Sequence, residues 1–449
     1  GSHVFLGPVA GPLGRSALGG RNWEGFPPDP YLTGELFTET LLSIQDGGVQ
    51  ACAKHYIGNE QETQRQSTQN GNGTTIESVS SNSDDLTLHE LYLWPFQQAV
   101  RAGVAAVMCS YNRLNQTYGC QNSKTLNGLL KSELGFQGYV MSDWGATHSG
   151  VFAVNSGQDM DMAGTASFGP VFFHQKLTTS VNNGSVSIDR LDDMCRRVMT
   201  PYFHLHQDKG FPAIDPSNKE LNALLFSSPN EYKYNYTYGT VANVDGRGDH
   251  GAAIRKQAAE GTVLLKNVNG TLPLKSPKQI AVFGNDAGDF TNGMSIFYLN
   301  GVGTYEYGVL AAGGGTGSGL FSYVVSPLEA IKQRAGFRKA TLVQYVLNNT
   351  AIIEEYSPYL AAVLPSPPDV CLVFLKSWAT EEKDRTTLHS DWEDNQVVER
   401  ITSQYSNTIM MTHSNRINIL PWANHPNITT ILTAHFPRQK AGNSIINIL

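Results

Sequence analysis

The sequence predicts an α/β protein of two domains, each built on a parallel sheet. Three observations carry this. Short, wholly apolar runs alternate with stretches of helical period, polar residues gather where the apolar runs end, and the alternation lapses once, across residues 206–250, before resuming. At 449 residues the chain is also too long for one ordinary core.

The elements follow in order. His3–Leu6, Gln50–His55, Ala105–Ser110 and Gly138–Ser142 read as buried strands, with Met160–Met162 a shorter candidate. Pro30–Gly47, Thr87–Ala102, Leu126–Glu133 and Ile188–Phe203 have helical period and fall between or after them. Strand, helix, strand in succession leaves two architectures open, a barrel or a doubly wound sheet, with too few units for a complete eight-stranded barrel. This first domain spans 1–205. Residues 206–250, rich in Pro, Asn, Tyr and charge, read as a linker. The second domain, 251–449, opens with a helix (Ala252–Gly261) and an extended segment (Val263–Lys266). Gln279–Gly284, Val370–Leu375, Thr408–Thr412 and Thr429–Leu432 are its central strands, with helices at Pro327–Gly336 and Asn395–Gln404. Ser444–Leu449 begins another amphipathic segment that has no stop signal. With a strand at the very start, both ends read as cut, so the chain is expected to be a piece of a longer protein.

Composition narrows the function. Hydrophobic residues make up 40% and mean hydropathy is -0.26, as in a water-soluble globular chain. Charged residues are only 16%, against about a quarter in typical domains, while Gly and Asn/Ser/Thr are abundant, a balance common in secreted proteins. A net charge of -7 without any basic cluster argues against a nucleic-acid partner. The apolar runs are strand-sized, so no membrane span is expected. Seven N-x-S/T sequons, at Asn72, Asn115, Asn183, Asn235, Asn269, Asn348 and Asn427, are candidates for glycans in a secreted chain. Of the five cysteines, only Cys109 and Cys120 are close in sequence, flanking a turn-like loop that a disulfide would close in an oxidising compartment. Cys371 sits in an apolar run as a small core residue. No cysteine, histidine or acid cluster has metal-ligand spacing, and neither metal nor cofactor is expected.

The chemistry gathers at strand ends. Gly138-Tyr-Val-Met-Ser-Asp-Trp-Gly145 is a buried strand that stops on an acid, Asp143, followed by an aromatic. Lys54-His55 ends another strand. Met108 and Tyr111 lie at the end of a third, and Arg21 lies in the loop after the first. In a barrel these ends share one face, where such folds keep their active sites. An aromatic beside a carboxylate, with cationic donors close by, suits a sugar. The plainer readings are a strand-to-loop turn at Asp143, an ion pair at Lys54, a satisfied core histidine at His55 and a core Trp144. In the second half, the strand Cys371–Leu375 runs into Ser377-Trp-Ala-Thr-Glu-Glu-Lys-Asp-Arg385. Adjacent acids are commonly a solvated face, but here they follow a buried strand at its ligand-binding end. One of them, reaching across a domain interface, would complete a carboxylate pair. The loop Gly313-Gly-Gly-Thr-Gly-Ser-Gly319 has no following Lys-Ser/Thr and no clear strand–helix context, so it is read as a close-approach loop rather than a phosphate cradle.

The stretches GPVAGPLGR…GGRNWEGF, ACAKHYIGNEQE, VMCSYN and GYVMSDWGA resemble the barrel domain of glycoside hydrolase family 3, and GGGTGSG…SPLEAI, SWATEEKDR and AHFPRQKAG resemble its sandwich domain. The matches run in order through nearly the whole chain and are most similar to the fungal secreted β-glucosidases. The resemblance implies a (β/α)8-type barrel, incomplete at its N-terminal side, followed by an α/β sandwich. It implies Asp143 as nucleophile, Glu381 as acid/base, and Arg21, Lys54, His55, Met108, Tyr111, Trp144 and Thr316 as sugar-binding residues, with serine more usual at the last position. It also implies the Cys109–Cys120 disulfide. The choice between Glu381 and Glu382 stays open, because related loops often carry glycine at the second position. A further sugar-gripping aspartate of the family would precede residue 1. The implied activity is retaining, exo-acting release of terminal β-D-glucosyl units from cello-oligosaccharides or β-glucosides by a secreted, extracellular enzyme, with a homodimer compatible. Lys54, His55 and Arg21 would keep Asp143 ionised. β-Xylosidase or another exo-glycosidase of the family, and a catalytically silent sugar-binding fragment, are the competing readings. A nucleotide-dependent enzyme is not expected.

Overall fold

The computed structural model describes residues 2–164, 170–211, 245–291, 305–319, 321–338, 341–354 and 367–449. Most of the 206–250 stretch, Asn235 included, lies outside them. The chain forms two compact units: Gly1–Ser16 with Glu24–Val244, and Ala17–Trp23 with Asp245–Leu449. The short segment 17–23 therefore groups with the C-terminal half, although sequence order alone assigns it to the first.

The first unit is organised by a parallel sheet of β1 (Val4–Phe5), β2 (Gln50–Tyr56), β3 (Ala106–Cys109) and β4 (Tyr139–Ser142), hydrogen-bonded in that order. Each new strand joins the same edge as the one before. This is how a barrel grows, whereas a doubly wound sheet reverses direction. Every residue of β2, β3 and β4 is buried, which is why these segments read as continuous apolar runs instead of alternating ones. The two faces nonetheless separate. Ala51, Ala53, Val107, Cys109 and Val140 join a core with helical residues such as Phe37, Leu41 and Phe96. Cys52, Ala106, Met108, Tyr139 and Met141 form a second cluster on the opposite face.

Helix α1 (Pro30–Asp46) starts where Asp29 accepts from Leu32 N at 2.9 Å and Pro30 occupies the first turn. Its buried Phe37, Leu41 and Gln45 recur every fourth residue, and Gln45 Oε1 takes the amide of Ala105 at 2.9 Å, fixing the entry to β3. Helix α2 (Trp94–Arg101) continues a helical run begun at Asp85. The expected strand at Met160–Met162 is reduced to one bridge, Met160 with Met141. Backbone bonds remain, Met160 N to Val140 O at 3.0 Å and Ser142 N to Met160 O at 3.0 Å, and side chains add to them: Asp159 Oδ2 accepts Val140 N at 2.8 Å and Ser142 Oγ accepts Met162 N at 2.8 Å. Cys109 and Cys120 are disulfide-bonded.

The second unit holds a six-stranded sheet. Its strands are β5 (Val263–Asn267), β6 (Gln279–Phe283), β7 (Leu342–Val346), β8 (Val370–Ser377), β9 (Thr408–Ser414) and β10 (Ile428–Thr433), in the order β5-β10-β9-β8-β6-β7. All neighbours are parallel except β5 with β10. From β6 the chain goes first to one side (β7) and then to the other (β8), so a topological switch point lies between β6 and β8. Clusters built on Phe283, Val373 and Met410 on one face, and on Val282, Leu372 and Met411 on the other, sandwich the sheet. The sequence reading passed over β7, an edge strand whose residues are mostly half-exposed and give no apolar run.

Candidate active site

In the first unit the parallel register sets three strand ends level, Met108 pairing with Met141, Cys109 with Ser142 and Tyr56 with Cys109. The ladder continues one step further, as Asp143 N donates to Cys109 O at 3.2 Å. Asp143 is 7% exposed as a whole residue and 11% at its side chain. Its Oδ1 accepts Trp144 N at 2.8 Å, and its Oδ2 lies 3.3 Å from His55 Nε2, brought over from the end of β2. His55 Nδ1 lies 2.6 Å from Gly11 O. A carbonyl only accepts, so Nδ1 carries hydrogen. Nε2, the other ring nitrogen, faces the carboxylate. Tyr111 donates from its hydroxyl to Trp144 O at 2.9 Å. Met108 belongs to the buried cluster against which Trp144 packs. Lys54, beside His55 on β2, is 9% exposed. Asp143, His55, Met108, Tyr111 and Trp144 are thus one assembly.

The second unit builds a site around Glu381, 5% exposed, in the loop after β8. Its Oε1 lies 3.0 Å from Arg21 Nη1. Its Oε2 accepts from Thr316 twice, from the backbone N at 2.8 Å and from Oγ1 at 2.5 Å. The glycine loop is laid along this segment: Glu381 N donates to Gly314 O at 3.1 Å and Gly314 N to Ala379 O at 2.9 Å. Gly315 has φ +103°, and a Cβ there would come within 2.3 Å of Glu381 Cβ. The loop's glycines therefore allow close approach, as expected, and what they approach is the Glu381 side chain. Glu382 points outward, exposed, at φ 68°, the left-handed conformation that accounts for glycine in related loops. Burial and hydrogen bonding favour Glu381 of the two.

Arg21 reaches Glu381 because residues 17–23 are threaded into the loop 380–385. Arg385 N donates to Leu18 O at 2.9 Å, Gly20 N to Asp384 Oδ1 at 3.0 Å, and Asn415 Nδ2 to Gly19 O at 2.7 Å. A Cβ on Gly20 would fall 2.1 Å from Lys383 O. Sequence analysis grouped Arg21 with the Asp143 cluster; its pairing within this unit is with Glu381.

Beneath the loop, at the switch point, lies a buried polar network that sequence reading missed. His413 Nδ1 lies 2.5 Å from Asp286 Oδ2, and Asp286 Oδ1 accepts Leu310 N at 2.7 Å. Lys376 Nζ donates to Gly308 O at 2.7 Å, while Asp394 Oδ2 accepts Lys376 N at 2.8 Å. Burial pushes the Lys376 amine down to about 8 and the Asp394 carboxyl well above the usual range. The available signal was a single charged residue near the end of an apolar strand, at Lys376 and again at His413. Among the described residues no cluster of His, Cys, Asp or Glu has the makings of a metal site, and no helix is long and apolar enough to cross a membrane.

Residues 1–200 match the glycosyl hydrolase family 3 N-terminal domain and residues 262–449 its C-terminal domain. The chain is 57% identical over 459 aligned residues to a probable beta-glucosidase G of Aspergillus flavus, covering 100% of this chain and 55% of that protein. It is 43% identical to a probable beta-glucosidase M of Aspergillus niger, covering 100% of this chain and 55% of that one. Among solved structures, a Chaetomella raphigera beta-glucosidase superposes with TM-score 0.86 at 36% identity, covering 100% of this chain and 58% of that one. A Chaetomium thermophilum beta-glucosidase gives 0.85 at 41%, covering 100% and 53%. The chain thus spans about half the length of the curated relatives it matches. With a barrel-type sheet, a doubly wound sandwich and the two family domains matched in order, the chain belongs to glycosyl hydrolase family 3.

Proposed function

We propose that this chain supplies the machinery of a retaining, exo-acting β-glucosidase that releases terminal non-reducing β-D-glucosyl units from cello-oligosaccharides or β-glucosides. The observation that carries the reading is the strand-end carboxylate of Asp143, nearly buried, with the His55 ring at 3.3 Å. Asp143 attacks the anomeric carbon, and the glycosidic oxygen leaves with a proton from Glu381. Glu381 then takes a proton from water as that water attacks the glycosyl–Asp143 ester, and the free carboxylate returns. This chemistry requires the two carboxyl groups about 5–5.5 Å apart across the sugar.

Thr316 suits both roles of Glu381. Its hydroxyl donates to the carboxylate, and by rotating it accepts from the carboxylic acid, which a backbone N–H or a guanidinium cannot do. Lys54, Met108, Tyr111, Trp144 and Arg21 are the sugar-holding residues of this reading. Secretion as a glycoprotein belongs to it too, supported by the Cys109–Cys120 disulfide and by the exposure of Asn72, Asn183, Asn269 and Asn348.

The test is covalent trapping with an activated 2-deoxy-2-fluoro-β-glucoside followed by peptide mapping. Label on the peptide carrying Asp143 is expected. Label elsewhere overturns the nucleophile assignment, and absence of turnover of 4-nitrophenyl β-glucoside favours a silent sugar-binding protein.

A further inference from the structure

We propose that Lys376 is a positioning residue for Glu381: from inside the second unit it fastens the glycine loop that carries Thr316 to the segment that carries Glu381. This rests on the reading of Glu381 as the acid/base. Lys376 is fully buried and lies near the end of β8, shortly before Glu381. Its Nζ donates to Gly308 O at 2.7 Å and stands 5.0 Å from the centroid of the Trp392 ring. Its backbone is held as well, Lys376 N donating to Asp394 Oδ2 at 2.8 Å and Lys376 O accepting Asp391 N at 3.0 Å. Enclosing an amine in this way is unfavourable, and its pKa, pushed down to about 8 by burial, registers that cost. An apolar chain of similar volume would serve stability at least as well. The amine calls for another use, and its acceptor supplies one.

What the amine grips is the segment that leads into the glycine loop. Gly308 N donates to Asn285 O at 2.9 Å, Val309 N to Gly288 O at 2.9 Å and Leu310 N to Asp286 Oδ1 at 2.7 Å, so residues 308–310 are clamped onto the turn after β6. Lys376 ties that clamp to β8. Further along, Leu310 and Ala312 share a buried cluster with Trp378, and Gly314 N donates to Ala379 O at 2.9 Å. Thr316 then meets Glu381 Oε2 with its backbone N at 2.8 Å and its Oγ1 at 2.5 Å. Segments 308–316 and 376–381 thus run side by side, joined at one end by Lys376 with Gly308 and at the other by Thr316 with Glu381. A loop with glycine at 313, 314 and 315 has little stiffness of its own and takes its place from the ends. Fixing its buried end limits how far the Thr316 donors stray from the carboxylate. A proton-transferring group needs that, because it works only within hydrogen-bond reach in a set geometry.

The experiment compares wild type, Lys376→Met, Lys376→Gln, Thr316→Ala and the double variant Lys376→Met/Thr316→Ala, with Glu381→Gln as reference. It measures thermal melting and kcat/KM for two substrates: phenyl β-glucoside, whose leaving group needs a proton, and dinitrophenyl β-glucoside, whose leaving group does not. In Lys376→Met the phenyl substrate should lose roughly two- to twelvefold, the span of one hydrogen bond converted to rate, with the dinitrophenyl substrate and melting near wild type. Lys376→Gln, which keeps an N–H donor on a slightly shorter chain, should recover part of the loss. In the double variant the loss on the phenyl substrate should be smaller than the product of the single losses, because both changes loosen the same loop. A folded Lys376→Met with wild-type rates overturns the proposal, as do equal losses on both substrates or single losses that multiply. If only Lys376→Gln folds, it decides by the same comparison of substrates. Failure of both to fold also overturns the proposal, since the amine would then serve the fold itself. A Glu381→Gln variant that loses equally on both substrates overturns the acid/base reading first, and the proposal with it.

Discussion

His55 stands between Gly11 and Asp143, its Nδ1 2.6 Å from a carbonyl oxygen and its Nε2 3.3 Å from a carboxylate oxygen. Both ring nitrogens meet acceptors, so the ring is held edge-on beside the strand-end acid. In the proposed mechanism the ring would keep this carboxylate in place as it bonds to the sugar.

Replacing His55 by Asn retains a polar group but removes the ring nitrogen that faces Asp143. A charge-assisted hydrogen bond is worth about 1.5–3 kcal/mol, so kcat/KM for 4-nitrophenyl β-glucoside should fall roughly ten- to hundredfold. Steady-state kinetics on His55→Asn checks this, and activity within threefold of wild type would show that the ring is only packing.

Thr316 should matter less than Glu381 and in a different way. Thr316→Ala removes the Oγ1 contact to Glu381 Oε2 but leaves the backbone N–H donor at 2.8 Å. A loss of about two- to tenfold is expected, largely restored by Thr316→Ser. Glu381→Gln should cost about 10²–10⁴-fold on substrates with poor leaving groups and far less in trapping with a dinitrophenyl leaving group, which needs no proton. Equal losses on both kinds of substrate would remove Glu381 from the acid role.

Lys376 gives a pH signature. Burial lowers its amine to about 8 in the folded chain, against about 10.4 for an unperturbed lysine. Between these values the unfolded chain holds the extra proton, so unfolding free energy rises with pH through that window, by up to about 1.4 kcal/mol per unit. Below it the lysine is charged in both states and its desolvation cost is fully present. Urea titrations from pH 7.5 to 10.5 should show this rise in wild type relative to Lys376→Met. Parallel curves would mean that the amine does not titrate there.

Sequons should not be used equally. Asn427 donates from Nδ2 to Thr402 O at 2.8 Å and is half-buried, whereas Asn72 and Asn183 are exposed. The nitrogen that would carry the sugar is committed in the first case. Glycopeptide mapping of protein from a fungal host should find glycan at Asn72 and Asn183 and none at Asn427. An occupied Asn427 would show that modification precedes docking of this segment.

Much of this was legible in the chain because it is written in short-range patterns. Fully buried parallel strands leave apolar runs, and an acid closing such a run, as Asp143 does, is visible without coordinates. Edge strand β7 was not legible, since its exposed and half-exposed residues leave no buried run. The burial of Lys376 and Asp394 was equally hidden, because each residue alone resembles a surface charge.

The sequence by itself determined that acids, cations and aromatics cluster at strand ends, and its motifs carried the family. Only the tertiary structure decided the company they keep. Barrel and doubly wound sheets share the same local alternation and differ in strand order, which hydrogen bonding between distant segments sets. Arg21 and Glu381 lie 360 positions apart, joined because glycine at position 20 lets one loop thread into another. No periodicity records such a contact, for it depends on where two irregular segments come to rest.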